Sequence, residues 1–172
     1  MKASDYIANA LAENGVKVIF GITGAHIIHV IDSICRHADL KFIPMVHEQA
    51  ASFAADAYAR MTGNIGVCLS TSGPGAVNLL SGVCSAYFDS VPLLVITGQV
   101  VTSSMRGDLD IRQLGFQETD VVKIFQPVTK EALKVSPQDL KSKLRYAIDL
   151  AKAPRPGPVL LDLPDDVQRA EV

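Results

Sequence analysis

Residues 65–99 read IGVCLSTSGPGAVNLLSGVCSAYFDSVPLLVITGQ. The stretch opens on an apolar run, Ile65 to Ser70, of the length expected for a buried strand. Ser72-Gly73-Pro74-Gly75 breaks the run as a tight turn. Ala76 to Phe88 then carries apolar residues at helical spacing, and Pro92 to Thr97 is again a buried strand. Two consecutive apolar strands bridged by a helix belong to a parallel sheet, because a parallel crossover needs a connection of that size.

Outward from this unit the same alternation continues. Toward the N-terminus, Ser4 to Leu11 forms a first helix stopped by Asn14-Gly15, and Val16 to Phe20 is a short strand. A helix over Ala25 to His37 follows, with Ile27, Ile28, Ile31 and Ile34 inward. Lys41 to Val46 is a strand and His47 to Met61 a long helix ended by Thr62-Gly63-Asn64. Toward the C-terminus, Gln99 to Gln117 has no period and reads as a long loop, a kind of segment that is often functional. A short helix over Glu118 to Phe125, a strand over Val128 to Val135, a helix from Ser136 to about Lys152 and a strand over Pro158 to Leu163 complete the order, with a polar tail to Val172. The predicted fold is α/β: a three-layer, doubly wound, mostly parallel sheet with helices on both faces, forming one domain over residues 1–172.

Composition narrows the function classes. The chain has 172 residues, 48% hydrophobic and 20% charged, which excludes a disordered chain. A net charge of −2 with no Lys/Arg stripe argues against a nucleic-acid surface. No apolar stretch reaches membrane-spanning length, and no signal-peptide pattern opens the chain. Cys35, Cys68 and Cys84 are odd in number and sit in apolar stretches, so they read as buried free thiols of a cytosolic protein. His26, His29, His37 and His47 lack the spacing of a metal site.

In such sheets ligands bind beyond the carboxyl ends of the strands. Those ends are Gly21 to Ala25, His47-Glu48, Thr71 to Gly75 and Gly98-Gln99. Glu48 has two readings: a first-turn carboxylate that favours the helix dipole, or a partly buried acid that exchanges a proton with a ligand. The Ser72–Gly75 turn is a tight connection, or a backbone surface against which a flat ring can lie; its spacing fits neither a P-loop nor a dinucleotide fingerprint. His47 reads as a ligand contact or a satisfied structural histidine. Arg106, Asp108, Asp110 and Arg112 read as a solvated loop, and Phe116-Gln117-Glu118 as a loop anchor followed by a helix cap.

The segments HEQAASFAADAYARMTG, GVCLSTSGPGAVNLLSGVCSAYFDSVPLLVITGQV and GFQETDVVKIFQPVTK, with the later PGPVLLDLP, together resemble the N-terminal domain of acetolactate synthase and its relatives. The resemblance runs over essentially the whole chain. It implies a domain that holds the aminopyrimidine of thiamine diphosphate. Glu48 matches the family glutamate expected to pass a proton at the pyrimidine nitrogen, so that the thiazolium carbon loses its own and attacks a 2-oxo acid such as pyruvate. Decarboxylation then leaves a two-carbon unit that joins a second carbonyl. Thr23, Gly24, Ser72, Gly73, Pro74, Gly75 and Asn78 are the matching cofactor-side positions, and Phe116 and Gln117 the substrate-side pair. Ile22-Thr23-Gly24-Ala25 replaces the Tyr-Pro-Gly-Gly of acetolactate synthases. The loop at Arg112-Gln113-Leu114-Gly115 is longer than in biosynthetic synthases, which points toward sugar-modifying carboligases.

The resemblance also implies magnesium and the diphosphate on a C-terminal domain, and in some members FAD on a middle domain. Neither domain is matched here, and no metal ligand is expected in this chain. The expectation is a piece of a longer chain or one half of a split enzyme, inactive alone. Its partner would be a diphosphate-binding domain, in a cytoplasmic homodimer or homotetramer. A 2-oxo-acid decarboxylase domain is the alternative among enzymes, and a non-catalytic nucleotide-binding or assembly domain the alternative of another class.

Overall fold

The computed structural model describes residues 1–172. Helix α1 (Ala3–Glu13) leads into strand β1 (Val18–Gly21), α2 (Ile28–Arg36) into β2 (Lys41–Pro44), and α3 (Glu48–Thr62) into β3 (Gly66–Ser70). Two helical segments, α4 (Pro74–Asn78) and α5 (Leu80–Asp89), precede β4 (Leu93–Gln99). Then come α6 (Val121–Phe125), β5 (Glu131–Lys134), α7 (Leu140–Lys152), β6 (Pro158–Pro164) and α8 (Asp165–Arg169). All strand pairs are parallel, in the order β2-β1-β3-β4-β6-β5. The doubly wound three-layer architecture expected from the sequence is the one observed.

The strand period of two sorts the core onto two faces. Ile19, Val67, Leu69, Leu94, Ile96, Val159 and Leu161 meet α1, α2 and α7 on one side. Cys68, Leu93, Val95 and Leu160 meet α3, α5 and α6 on the other. Full burial of a side chain such as Leu94 or Ile96 contributes roughly 1.5–3 kcal/mol. An exposed ion pair such as Arg36–Asp5 at 2.8 Å contributes about 0–1 kcal/mol. The apolar layers therefore decide the fold.

The second face is built from small residues. Ala51, Ala55, Ala59, Ala76 and Ala86 are buried within the domain. A Cβ on Gly66 would come within 2.2 Å of the Ala55 carbonyl oxygen, so β3 and α3 need glycine to approach as they do. These buried residues are consumed by packing inside the domain and carry no argument for a partner.

Several boundaries differ from expectation for identifiable reasons. Helix α3 starts one residue late because His47 caps it, Nδ1 accepting from the Gln49 amide at 3.1 Å; this is the structural role for His47. The Ala76–Phe88 helix starts earlier, at Pro74, and is interrupted at Leu79, whose amide bonds Ala76 rather than the residue four back. The short helix begins at Val121 with Asp120 as its cap, because both oxygens of Glu118 are taken by the amides of Arg106 (2.8 Å) and Leu114 (2.9 Å). Helix α2 enters through a 3-10 turn over Ala25–Ile27, which turns Val30 inward and leaves Ile28 exposed. The polar tail contains α8, with Val167 and Gln168 buried, and Glu171 bridges back to Lys2. Of the cysteines only Cys68 is buried, which pushes its thiol up to about 12; Cys35 is exposed, contrary to expectation, and Cys84 is half-buried. No helix is long and apolar enough to cross a membrane.

Candidate active site

The strand order reverses twice. After β2 the chain crosses to the far side of β1 to lay down β3, and after β5 it returns to insert β6 beside β4. Crevices for ligands open at such reversals, outside the carboxyl ends of the strands.

At the first reversal the loop after β1 and the turn after β3 stand side by side. Glu48 arrives there from the first turn of α3 and is half-buried. The Asn78 side-chain amide donates to Glu48 Oε2 at 3.0 Å, while Oε1 meets no protein donor. A Cβ on Gly75 would lie 3.2 Å from that free oxygen and 2.9 Å from Thr71 Cγ2. A Cβ on Gly24 would lie 2.4 Å from Thr71 Cβ. Glycine at both positions is thus what lets the two loops close on Thr71 and on the carboxylate of Glu48.

The turn itself needs its first glycine twice over. Gly73 has φ +63°, and a Cβ there would stand 2.8 Å from Gln117 Cβ and 2.9 Å from its carbonyl oxygen. Gln117 is itself left-handed at φ +58°, and Phe116 beside it is 74% exposed. Pro74 sets the start of α4. Ser72 is buried, its Oγ 2.6 Å from His26 Nδ1.

Glu48, Gly24, Ser72, Gly73, Gly75, Asn78 and Gln117, named from sequence, are therefore brought together, with Pro74 and Phe116 adjoining. Thr23 is exposed and forms no hydrogen bond with the others. Thr71, the residue after β3, lay within the strand ends marked from sequence but was not named as a site residue. His26 was weighed from sequence only as a metal ligand; it stands one residue beyond the Gly21–Ala25 loop, and extending that loop by a single residue would have reached it.

The helix dipole accounts for a carboxylate at the start of α3. It does not account for Asn78 on one oxygen and a glycine opposite the other. No three His, Cys, Asp or Glu side chains are grouped to hold a metal ion.

The second reversal holds a different carboxylate. Asp162 on β6 accepts from Thr97 Oγ1 at 2.8 Å and from Gln99 Nε2 at 3.2 Å. Burial pushes its pKa up to about 6, against the pull of those two donors. A polar cavity of about 350 Å³ above it is bordered by Arg106, Arg112, Glu118 and Lys134.

Fold and site define an α/β ligand-binding domain with a half-satisfied carboxylate at a topological reversal. Residues 1–124 match the family described as thiamine pyrophosphate enzyme, N-terminal TPP binding domain, and the chain belongs to that family. It is 43% identical, over its whole length, to a probable acetolactate synthase large subunit of Methanocaldococcus jannaschii, of which it covers 28%. It is 41% identical, again over its whole length, to the acetolactate synthase large subunit of Corynebacterium glutamicum, covering 27% of it. Over 97% of the chain it is 40% identical to acetolactate synthase isozyme 3 large subunit of Escherichia coli, covering 28%. The chain thus spans little more than a quarter of the length of these relatives.

Proposed function

We propose that this chain is the pyrimidine-holding part of a thiamine-diphosphate-dependent carboligase that takes a two-carbon unit from a 2-oxo acid such as pyruvate and joins it to a second carbonyl. The observation that carries the reading is the unpaired Oε1 of Glu48, set against the backbone of Gly75 while Asn78 holds Oε2. When bound, thiamine diphosphate supplies a thiazolium carbon that becomes a nucleophile on losing its proton.

The residues of this chain divide the remaining tasks. Glu48 Oε1 exchanges a proton with the pyrimidine nitrogen, and Asn78 fixes the carboxylate through Oε2. Gly24, Gly73 and Gly75 let the two loops and Gln117 close up beside the carboxylate, and Ser72 and Pro74 complete the turn that borders the ring. Thr23 borders the same loop. Phe116 and Gln117 face the substrate.

Magnesium and the diphosphate are assigned to another domain, on the same or a partner chain, and FAD to a middle domain in the complete enzyme. A homodimer or homotetramer in the cytoplasm belongs to this reading. Exposed Val46, Phe53, Met61 and Phe88, on and around α3 and α5, support a partner on that side, and three cysteines left as free thiols suit a reducing compartment. The Ile22–Ala25 and Arg112–Gly115 segments favour a sugar-pathway acceptor over that of the biosynthetic synthases.

The test uses the full-length protein with thiamine diphosphate, magnesium and pyruvate. Calorimetric binding of the cofactor and formation of a carboligation product are expected, with no turnover by residues 1–172 alone. Acetaldehyde as the sole product would transfer the chain to the decarboxylases. Absence of cofactor binding would end the reading.

A further inference from the structure

The polar cavity at the second reversal is walled on one side by the long loop that follows β4. Glu118 shapes that loop. Its two oxygens take the amides of Arg106 and Leu114, at 2.8 and 2.9 Å, and so tie the two limbs together. Arg106 Nη1 donates across the loop to the Ile111 carbonyl at 3.2 Å. The tie sets Arg106 and Arg112 on the cavity wall, and Lys134 reaches the same space from the end of β5.

The charges there do not cancel. Arg106, Arg112, Lys123 and Lys134 border the cavity against Glu118, Asp120 and Asp162, a surplus of one cation in a chain whose net charge is −2. Each of the three acids is committed elsewhere. Glu118 holds the two loop amides, and Asp162 accepts from Thr97 and Gln99. Asp120 caps α6 and pairs with Lys123 at 2.8 Å. Arg106, Arg112 and Lys134 are thus left without a carboxylate partner, and the side chains of Arg112 and Lys134 make no hydrogen bond within the chain. Three such cations around one cavity repel one another, and an anion seated among them relieves that repulsion.

The shape of the lining narrows the ligand. Its volume of about 350 Å³ suits a small molecule. Met105 and Val122 are its only apolar residues, which leaves a bare carbon skeleton little to pack against. Glu118 and Thr119 instead present oxygen lone pairs to which ligand hydroxyls can donate.

We propose that this cavity binds a phosphate ester of a hydroxylated molecule, its phosphate held by Arg106, Arg112 and Lys134. A guanidinium fork matches two phosphate oxygens at once, and the ammonium adds a point charge. Asp162 keeps its bonds to Thr97 and Gln99 and makes none to the phosphate. Glu118 and Thr119 directly follow the Phe116-Gln117 pair, so this cavity and the substrate side share one stretch of chain. The phosphate ester is therefore the acceptor or an effector bound beside it. Assignment to the acceptor rests on the carboligase reading above; the phosphate site does not.

The test uses full-length protein loaded with thiamine diphosphate and magnesium, so that the cofactor's own phosphate site is filled, and inorganic phosphate is the probe. Phenylglyoxal modifies exposed arginines, and mass spectrometry reads each of them separately. Phosphate at about ten times its dissociation constant should slow the labelling of Arg112 about tenfold relative to chloride of equal ionic strength. Arg145, exposed beside Glu13 and Asp149, should label at an unchanged rate. Lys134→Gln should raise the phosphate concentration needed for that protection about tenfold. With pyruvate as donor, an acceptor's phosphate predicts a KM for glyceraldehyde 3-phosphate about tenfold below that for glyceraldehyde, a preference that Lys134→Gln removes. Equal KM values beside intact protection assign the cavity to an effector. Arg112 labelling indifferent to phosphate, protection that Lys134→Gln leaves unchanged, or an Arg112 that phenylglyoxal does not reach because another domain covers it, overturns the proposal. Failure of thiamine diphosphate to bind would remove the carboligase reading alone, and protection of Arg112 would still report on the cavity.

Discussion

The two reversals of the sheet hold two carboxylates treated in opposite ways. Asp162 is buried and has a donor on each oxygen. Glu48 is half-buried, has one donor, and faces a glycine across its second oxygen. A carboxylate whose hydrogen bonds are made inside the chain is spent on the fold. One left with an oxygen that no protein donor reaches is available to a ligand. The difference teaches that position at a strand's carboxyl end is not sufficient to mark a site; the unsatisfied atom is what separates the two.

The largest effect that would break the comparison is at Glu48. In the full-length enzyme, Glu48→Gln should slow hydrogen–deuterium exchange at the thiazolium carbon by about a hundred to ten thousand fold. Melting should barely move, because the dipole contribution of a first-turn carboxylate is about 1 kcal/mol or less. Unchanged exchange in a folded variant would reduce Glu48 to a first-turn charge.

Asp162 comes next. Its folded pKa of about 6 lies above the 3.8 of an unperturbed aspartate, so the folded state holds the proton more tightly. The stability that this proton confers is complete below about pH 4 and is lost as pH rises through about 6. A difference of about two pH units corresponds to roughly 3 kcal/mol. The 13C shift of the Asp162 carboxyl should titrate near 6, and Asp162→Asn should flatten the matching part of the stability–pH curve. A carboxyl that titrates near 4 would sink this account.

The sharpest pairing removes one donor from each carboxylate. Thr97→Val strands a buried oxygen of Asp162 and should destabilise by about 1–3 kcal/mol in thermal melting. Asn78→Ala removes the sole donor to Glu48, where water can substitute, and should destabilise by less than about 1 kcal/mol. Equal losses would show that the two carboxylates are held alike.

Much of this was legible in the sequence. Apolar runs set strands and apolar spacing set helices, and both survived folding because burial enforces them. Glu48, Gly75 and Asn78 could be named because a strand end, a glycine turn and a family resemblance converged there. Boundaries were missed where a polar side chain chose its partner, as Glu118 did with two loop amides and His47 with Gln49. The sequence did not state which alanines of α3 and α5 face the sheet; Ala51, Ala55, Ala59 and Ala86 do so and are buried.

By itself the sequence determined that this chain is a parallel α/β domain with a glycine turn and a strand-end glutamate. Those properties follow from hydrophobic period and local backbone chemistry, which act over a few residues. Only the tertiary structure decided that Gly73 abuts Gln117, that Ser72 fixes His26, and that Asp162 is satisfied while Glu48 is not. Each of those pairings joins residues far apart in the chain. They depend on the order in which the strands lie, and a hydrophobic pattern states which face of a strand is buried but not which strand lies beside it.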